Sequence, residues 1–430
     1  MSISWRVPVL LLLGVVPVLF WPLQTTVAKW LIVVLALVVL DLVLAPSPRK
    51  LKITRDAVTP VRVGEVSESR LRFTNPGRRM KVDIRDAWQP SAGATNNRHS
   101  LALENEIETE VATRLEPTRR GSLRASSVTV RSWGPLRLAS RQTTFELEGE
   151  LRSLPEFPAR KHLPTALAKL QFVEGQALAK QRGQGTEFDS LREWVDGDDV
   201  RSIDWRATAR QSEGLIVKTW RPERDRHVVM VLDTSRVSAV RLGDVTRLDA
   251  QMDAALLLSV LCAKAGDSVS MIAGDLDVKT RVVKPGPQDV LREMSHAMAP
   301  LDPDLVEADW SNLGAALTQF GKKVSLIVLF TPVDPTVLSE SLLPVLAQLS
   351  KRQHVVIAHA IDPTAHELAE NRETVEDIYL AAAAEYSRHR LRDAVRGLRA
   401  TGVTSIQAPP EDLPMAVIDH YLNLKSQGLL

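Results

Sequence analysis

The chain has 430 residues, an apolar share of 44%, and 54 basic against 52 acidic residues. Near-neutrality excludes a dedicated nucleic-acid binder, which carries a strongly basic domain, and the length suits two or three domains. The single cysteine, Cys262 in the apolar run LLLSVLCAKAG, excludes an internal disulfide and a cysteine-built zinc cluster and reads as a small core hydrophobe.

The amino-terminal region reads as membrane. Val7 to Leu23 contains no charged residue and as a helix would reach about 26 Å, close to the thickness of a bilayer core. Trp30 to Ala45 is a second apolar run, and the short Gln24 to Lys29 connection makes the pair a helical hairpin over residues 1–48. Pro8, Pro17 and Pro22 bend or end the first helix, and Trp5, Trp21 and Trp30 fall near the predicted ends, where interfacial tryptophans belong. Arg6, Arg49, Lys50, Lys52 and Arg55 flank the outer ends, against Lys29 alone in the turn. Positive-inside bias therefore places both termini and all later domains in the cytoplasm, at the inner membrane. A cleaved signal peptide, with Thr26 and Ala28 at the cleavage site, is the competing reading. Asp41, inside the second helix near its cytoplasmic end, reads either as functional or as a solvated or locally paired carboxylate.

Residues 49–153 change to short alternating segments. KITRDAV, VSESRLRFTN, KVDIRDAW, IETEVATRL, LRASSVTVRS and LRLASRQTTFEL are separated by turns such as Asn75-Pro76-Gly77 and Arg120-Gly121, which predicts a small β-sandwich-like module. Its one histidine, His99, has no evident partner, and the module reads as a spacer or binding unit.

Residues 154–226 contain the densest run, Gly183 to Arg210, in which Phe188, Trp194 and Trp205 alternate with charges of both signs. A phosphate cradle at Gly183-Gln184-Gly185 lacks the remaining motif, and Asp196-Gly197-Asp198-Asp199 lacks the alternating ligands of a calcium loop. Glu187, Glu193 or Asp204 could serve as acid and base. The arginines Arg192, Arg201, Arg206 and Arg210 favour instead an ion-paired clasp that holds Glu187, Glu193, Asp199 and Asp204 beside the tryptophans. That clasp is expected to dock on the following domain and to present part of its surface to a partner.

From His227 to the end, short apolar strands alternate with helices. HVVMVLD, SVSMIAG, VSLIVLF and HVVIAHAI read as buried parallel strands. Helices are predicted over LDAQMDAALLLSVLCAKAG, Gln288 to Met298, Leu313 to Phe320, Thr336 to Ser350 and Ile378 to Gly397, giving a doubly wound, Rossmann-type α/β domain over 227–430. Its first strand ends on Asp233-Thr234-Ser235-Arg236-Val237-Ser238, where sites in such folds lie. No P-loop or nucleophile elbow is present, and His366-Glu367 lacks the second histidine of a zinc-protease helix.

A strand ending in Asp-x-Ser at the start of such a domain resembles the von Willebrand factor A fold. The run Gly183, Gly185, Glu187-Phe188, Leu191-Arg192-Glu193, Gly197-Asp198-Asp199, Arg201, Ile203-Asp204-Trp205 and Ala209-Arg210 resembles the signature of the bacterial family catalogued as domain of unknown function 58. The first resemblance implies an adhesion-type metal site, with Asp233, Ser235 and Ser311, beside Asp309, as ligands for a magnesium ion. Val237, Pro332 and the displaced Asp334 depart from its full pattern, so that a closed, hydrogen-bonded loop competes with it. The second implies a membrane-anchored adaptor or scaffold for a MoxR-type AAA+ ATPase, acting in assembly or maturation of other proteins. A metal-dependent enzyme using the signature carboxylates is the alternative.

Overall fold

The structure is a computed structural model that describes residues 2–180, 187–196, 198–210, 214–221, 226–321, 323–333, 341–364, 369–370 and 372–430. Gly183, Gly185, Gly197, Asp334, His366 and Glu367 lie outside them. The chain forms two compact units, Met1–Glu156 and Phe157–Leu430.

The first unit opens with a short strand β1 (Ser2–Ile3), helices α1 (Arg6–Leu13) and α2 (Val15–Phe20), and the long helix α3 (Gln24–Leu44). The expected first membrane helix is shorter than the sequence suggested, since it breaks at Gly14 and ends at Phe20, before Trp21 and Pro22. A helix over Arg6–Phe20 spans about 22 Å, less than a hydrocarbon core. Among the described residues, Thr25–Lys50 is the one stretch long and apolar enough to cross a membrane. The two helical segments touch: Trp30 Nε1 donates to the Leu10 carbonyl at 3.1 Å, and a Cβ on Gly14 would collide with the Trp30 ring.

The β region follows as β2 (Lys52–Arg55), β3 (Val61–Arg62), β4 (Ser67–Thr74), β5 (Met80–Trp88), β6 (Arg98–Leu103), β7 (Glu108–Leu115), β8 (Gly121–Trp133) and β9 (Ala139–Leu154). One sheet runs β1-β9-β8-β5-β6 with β3 beside β9, and a second runs β2-β4-β7. Alternation puts Leu71 and Phe73 of the small sheet against Val82, Ile84, Val128 and Val130 of the large one, so the two sheets form a sandwich. The ion pair Arg55–Asp86 is buried within it: both guanidinium nitrogens reach the carboxylate, at 2.7 and 3.0 Å. Ser69 Oγ accepts from Arg55 at 2.6 Å, Trp88 Nε1 donates to Asp86 at 2.9 Å, and the guanidinium lies 5.1 Å from the Trp88 ring centre. Gly149 leaves the room, because a Cβ there would approach Arg55 Cδ to 2.5 Å.

Asp41 is fully buried. Its carboxylate accepts the amides of Leu136, Leu138 and Ala139 at 2.7, 2.7 and 2.9 Å, from the turn between β8 and β9 and the first residue of β9. Of the two readings of this acid, the structure gives local pairing. Carbonyls left open at the end of α3 are met by arginines, Leu42 by Arg141 at 3.0 Å and Leu44 by Arg78 at 2.7 Å. Strand β1 adds to the same turn region by pairing Ile3 with Ala139.

The second unit contains α4 (Leu163–Lys180), a ribbon of β10 (Glu187–Glu193) and β11 (Ile216–Arg221) enclosing α5 (Trp205–Thr208), and then the α/β region. That region comprises β12 (His227–Asp233), β13 (Arg241–Leu242), β14 (Val245–Thr246), α6 (Arg247–Lys264), β15 (Ser268–Gly274), β16 (Val278–Val283), α7 (Val290–Met298), α8 (Trp310–Thr318) and β17 (Val324–Phe330). It closes with α9 (Leu343–Leu349), β18 (His354–Ala360), α10 (Val375–Ala400), β19 (Thr404–Ala408) and α11 (Leu413–Ser426). The sheet order is β16-β15-β12-β17-β18-β19, with every pairing parallel except β15 with β16. Alternate residues of β12 enter opposite cores: Val228, Met230 and Leu232 meet α6, α7 and α11, while Val229 and Val231 meet α8 and α9. Burial on both faces explains why the four strands read from the sequence are continuous apolar runs. The edge strands β16 and β19 and the helices α4 and α11 had no such signal.

Replacing Asp86 by alanine strands the Arg55 guanidinium in the sandwich. Denaturant unfolding of this variant should show a loss of about 3–5 kcal/mol.

Candidate functional site

Asp233, the last residue of the central strand, is 1% exposed. Its Oδ1 accepts the Ser235 amide at 2.8 Å and its Oδ2 accepts the Thr331 hydroxyl, at the end of β17, at 2.6 Å. Burial pushes its carboxyl above the usual range, and the nearby charge of Asp275 adds to the effect. Asp275, following β15, accepts Thr234 Oγ1 at 2.8 Å and Lys279 Nζ at 2.5 Å, and Lys279 also reaches Asp304 at 2.7 Å. Burial pushes Asp275 upward, but the hydrogen bonds from Lys279 and Thr234 outweigh it and hold it below the usual range. Across β18, Arg247 at the start of α6 donates to the Val237 and Ala360 carbonyls at 2.6 and 3.2 Å. Burial lowers its pKa, opposed by Asp362 and Asp233. Burial, with Arg247 nearby, pushes His359 down to about 3, so its ring is neutral, and Nδ1 accepts the Val333 amide at 3.4 Å.

These groups do not fit a magnesium ion. Such an ion needs hard oxygen donors in near-octahedral array around one open point, one or two of them carboxylates. Here one carboxylate, Asp233, is already bonded through both oxygens, and the Arg247 charge lies near enough to couple to it. Among the described residues no group of three or more acidic, histidine or cysteine side chains is placed to hold a metal. Ser311, expected as the second-loop ligand, is exposed in the first turn of α8, while its neighbour Asp309 caps that helix through the Asn312 amide at 3.0 Å. Ser235 Oγ and Ser238 Oγ are buried without a hydrogen bond of good geometry, a feature that an open ligand set would share. Apart from those two hydroxyls, the arrangement is a hydrogen-bonded polar cluster that ties four strand ends together.

Sequence reasoning found Asp233 and Ser235 from the strand-end pattern. It named Thr234 only as part of that run and missed Asp275 after β15, Lys279 on β16, Arg247 on α6 and His359 on β18, which come from elements distant in sequence.

The signature run forms the β10–β11 ribbon, and its framework is internal. Leu191 pairs with Lys218 and Arg192 with Val217 across the strands, and Ile203 bridges to Val217. Of the arginines expected to pair, Arg192 does so, but with Asp198, which was not in the expected set, through two bonds of 2.7 and 2.6 Å. Asp199 and Asp204 serve the backbone: Asp199 accepts the Arg201 amide at 3.0 Å, and Asp204 accepts those of Arg206 and Ala207 at 2.9 and 3.1 Å, capping α5. The hydrogen bond from Ala207 and the pairing with Lys218, 3.2 Å away, hold Asp204 below the usual carboxylate range. Among the described residues, Arg201, Arg206 and Arg210 form no ion pair, which corrects the expected network. An aspartate beside a helix start reaches amides two or three residues on more readily than a distant guanidinium. An ionised, capped Asp204 is poorly suited to donate a proton. Glu187 and Phe188 lie on β10, opposite Arg221 and Trp220. Trp205 is 65% exposed, and the same segment also exposes Leu191, Val195, Val200 and Leu215.

Residues 190–399 match the model of the family described as Protein of unknown function DUF58. This is the family that the run from Gly183 to Arg210 resembles. A curated relative, the Uncharacterized protein YeaD of Bacillus subtilis, is 26% identical over 159 residues, which is 37% of this chain and 38% of YeaD. The chain thus matches well under half of that relative's length. Among solved structures, the conserved hypothetical protein BatB of Bacteroides thetaiotaomicron covers 47% of the chain and 98% of its own length, at 10% identity and a TM-score of 0.30. An aerotolerance-related membrane protein of Bacteroides fragilis covers 46% and 98%, at 12% identity and a TM-score of 0.28.

The buried neutral His359 has a pH consequence. Its folded pKa, about 3, lies below the unfolded value near 6.5, so the unfolded state binds the proton first and stability falls as pH drops below that value. Unfolding free energies measured by denaturant from pH 7 to 4 should fall less steeply for His359→Gln than for the unmodified chain, by at most about 1.4 kcal/mol per pH unit.

Proposed function

We propose that the DUF58 chain is a membrane-anchored, cytoplasm-facing adaptor or scaffold that presents its β10–β11 ribbon to a protein partner. One observation carries this reading: Trp205 is 65% exposed on a backbone fixed by the Asp204 cap. An exposed aromatic on a fixed backbone is the kind of residue that anchors protein interfaces, since little entropy is lost when it is covered. Asp198, Asp199 and Asp204 serve as caps and ion partners, which weighs against the alternative of an enzyme using them.

By family resemblance the partner is a MoxR-type AAA+ ATPase, and the task is assembly or maturation of other proteins. The α/β region is read as von Willebrand A-like, on its parallel sheet and on Asp233 and Ser235 at the end of the central strand. Thr25–Lys50 supplies the anchor. The flanking bases and the contact of Trp30 with Leu10 support a hairpin with both ends in the cytoplasm.

Trp205→Ala should reduce co-purification of the ATPase at least about tenfold, the usual loss at an interface anchor, without releasing the chain from membranes. Pull-down from detergent extracts, with membrane fractions assayed in parallel, measures both. Unchanged recovery of the ATPase by a stably folded variant overturns the reading.

A further inference from the structure

Helix α10 is 26 residues long and faces the core along one stripe only, through Ala381, Leu391, Ala394, Val395 and Leu398. Its start is fixed by a capping box between Thr374 and Asp377. On the opposite side Val375, Tyr379 and Tyr386 are 71%, 75% and 66% exposed, with Ala382 exposed between them. These positions repeat at intervals of four, three and four, the spacing of a coiled-coil seam. A solvent-facing helix normally carries polar residues there.

Charge along the helix is segregated. Val375–Ala384 has Glu376 and Asp377 and no base, whereas Glu385–Ala400 has arginines 388, 390, 392, 396 and 399 against Glu385 and Asp393. Arg390 lies over the Tyr386 ring, 6.0 Å from its centre, and neither Arg390 nor Glu376 makes an ion pair among the described residues.

We propose that this face is a self-association surface on which two copies of the chain pair through antiparallel α10 helices. With the two-fold axis near Ala382, Tyr379 of one copy meets Tyr386 of the other, and Glu376 meets His389 and Arg390. Residues 375–384 of each helix then lie along residues 381–390 of its neighbour, which sets Glu376 and Asp377 beside the stretch that carries Arg388 and Arg390. A parallel pair would set the two arginine-rich halves side by side, which is repulsive. The pairing is isologous and closes as a dimer.

Cysteine cross-linking of the full chain in detergent micelles tests this. The one native cysteine, Cys262, is fully buried and gives no background. Ala382→Cys sits next to the axis and should form a disulfide-linked dimer under mild oxidation. Gly397→Cys lies on the same stripe, where a Cβ meets no atom within 4 Å, but the two copies would be about 40 Å apart along an antiparallel pair. It should stay uncross-linked. Light scattering should give twice the chain mass, and the double variant Tyr379→Glu, Tyr386→Glu should give the single mass at an unchanged melting temperature. A monomeric unmodified chain, cross-linking at Gly397→Cys, failure at Ala382→Cys, or a dimer that survives the double variant overturns the proposal.

Discussion

The α/β unit depends on one constraint: its central strand, His227–Asp233, is buried along its whole length and ends on a carboxylate. Parallel pairing on both sides leaves no solvent at the strand end, so Asp233 must find its donors within the protein. It takes one from its own loop and one from Thr331 on the adjacent strand. The neighbouring pairs, Thr234 with Asp275 and Val333 with His359, extend the same accounting across the sheet. Four strand ends are thereby held in register by polar contacts where the apolar cores end. Such a cluster confers position, and it explains why an aspartate can stand at a site-like location without the open donors of a metal loop.

The same requirement is met differently elsewhere. Asp86 is neutralised by a two-bonded arginine inside the sandwich. In the second unit Asp267, at the end of α6, is bound by Tyr421 and by Lys425, whose ammonium lies 3.1 Å away and also faces Glu174 at 3.6 Å. That cluster fastens α11 and α4 to α6, and it sits against Cys262, whose thiol burial pushes up strongly. The lone cysteine is thus kept a thiol, as its apolar run suggested.

The sequence displayed most clearly what burial makes uniform. Continuous Val and Ile runs marked β12, β15, β17 and β18, and alternation marked β4, β5, β7 and β8. Edge strand β16 alternates charge with valine because one face is wet, and β19 is five residues long, so neither stood out. Gly14 ended α1 early where composition alone promised a longer helix. In the signature run, the abundance of arginine suggested a paired network. Counting charges cannot reveal that Asp199 and Asp204 have amides within reach two residues away, and local geometry outcompetes long flexible partners. Thr331 directly follows the run VSLIVLF, but its role requires knowing that β17 lies beside β12, a tertiary fact.

Asp41 sets the rotational phase of α3. Three amides converge on one side chain of the helix, and two arginines hold its last carbonyls, so the helix cannot turn about its axis without tearing the β8–β9 turn from its carboxylate. Which residues of the apolar stretch face in any given direction is therefore dictated by the sandwich. A twist imposed on the helix, by a thicker bilayer or by a neighbouring helix, would reach β9 as torque.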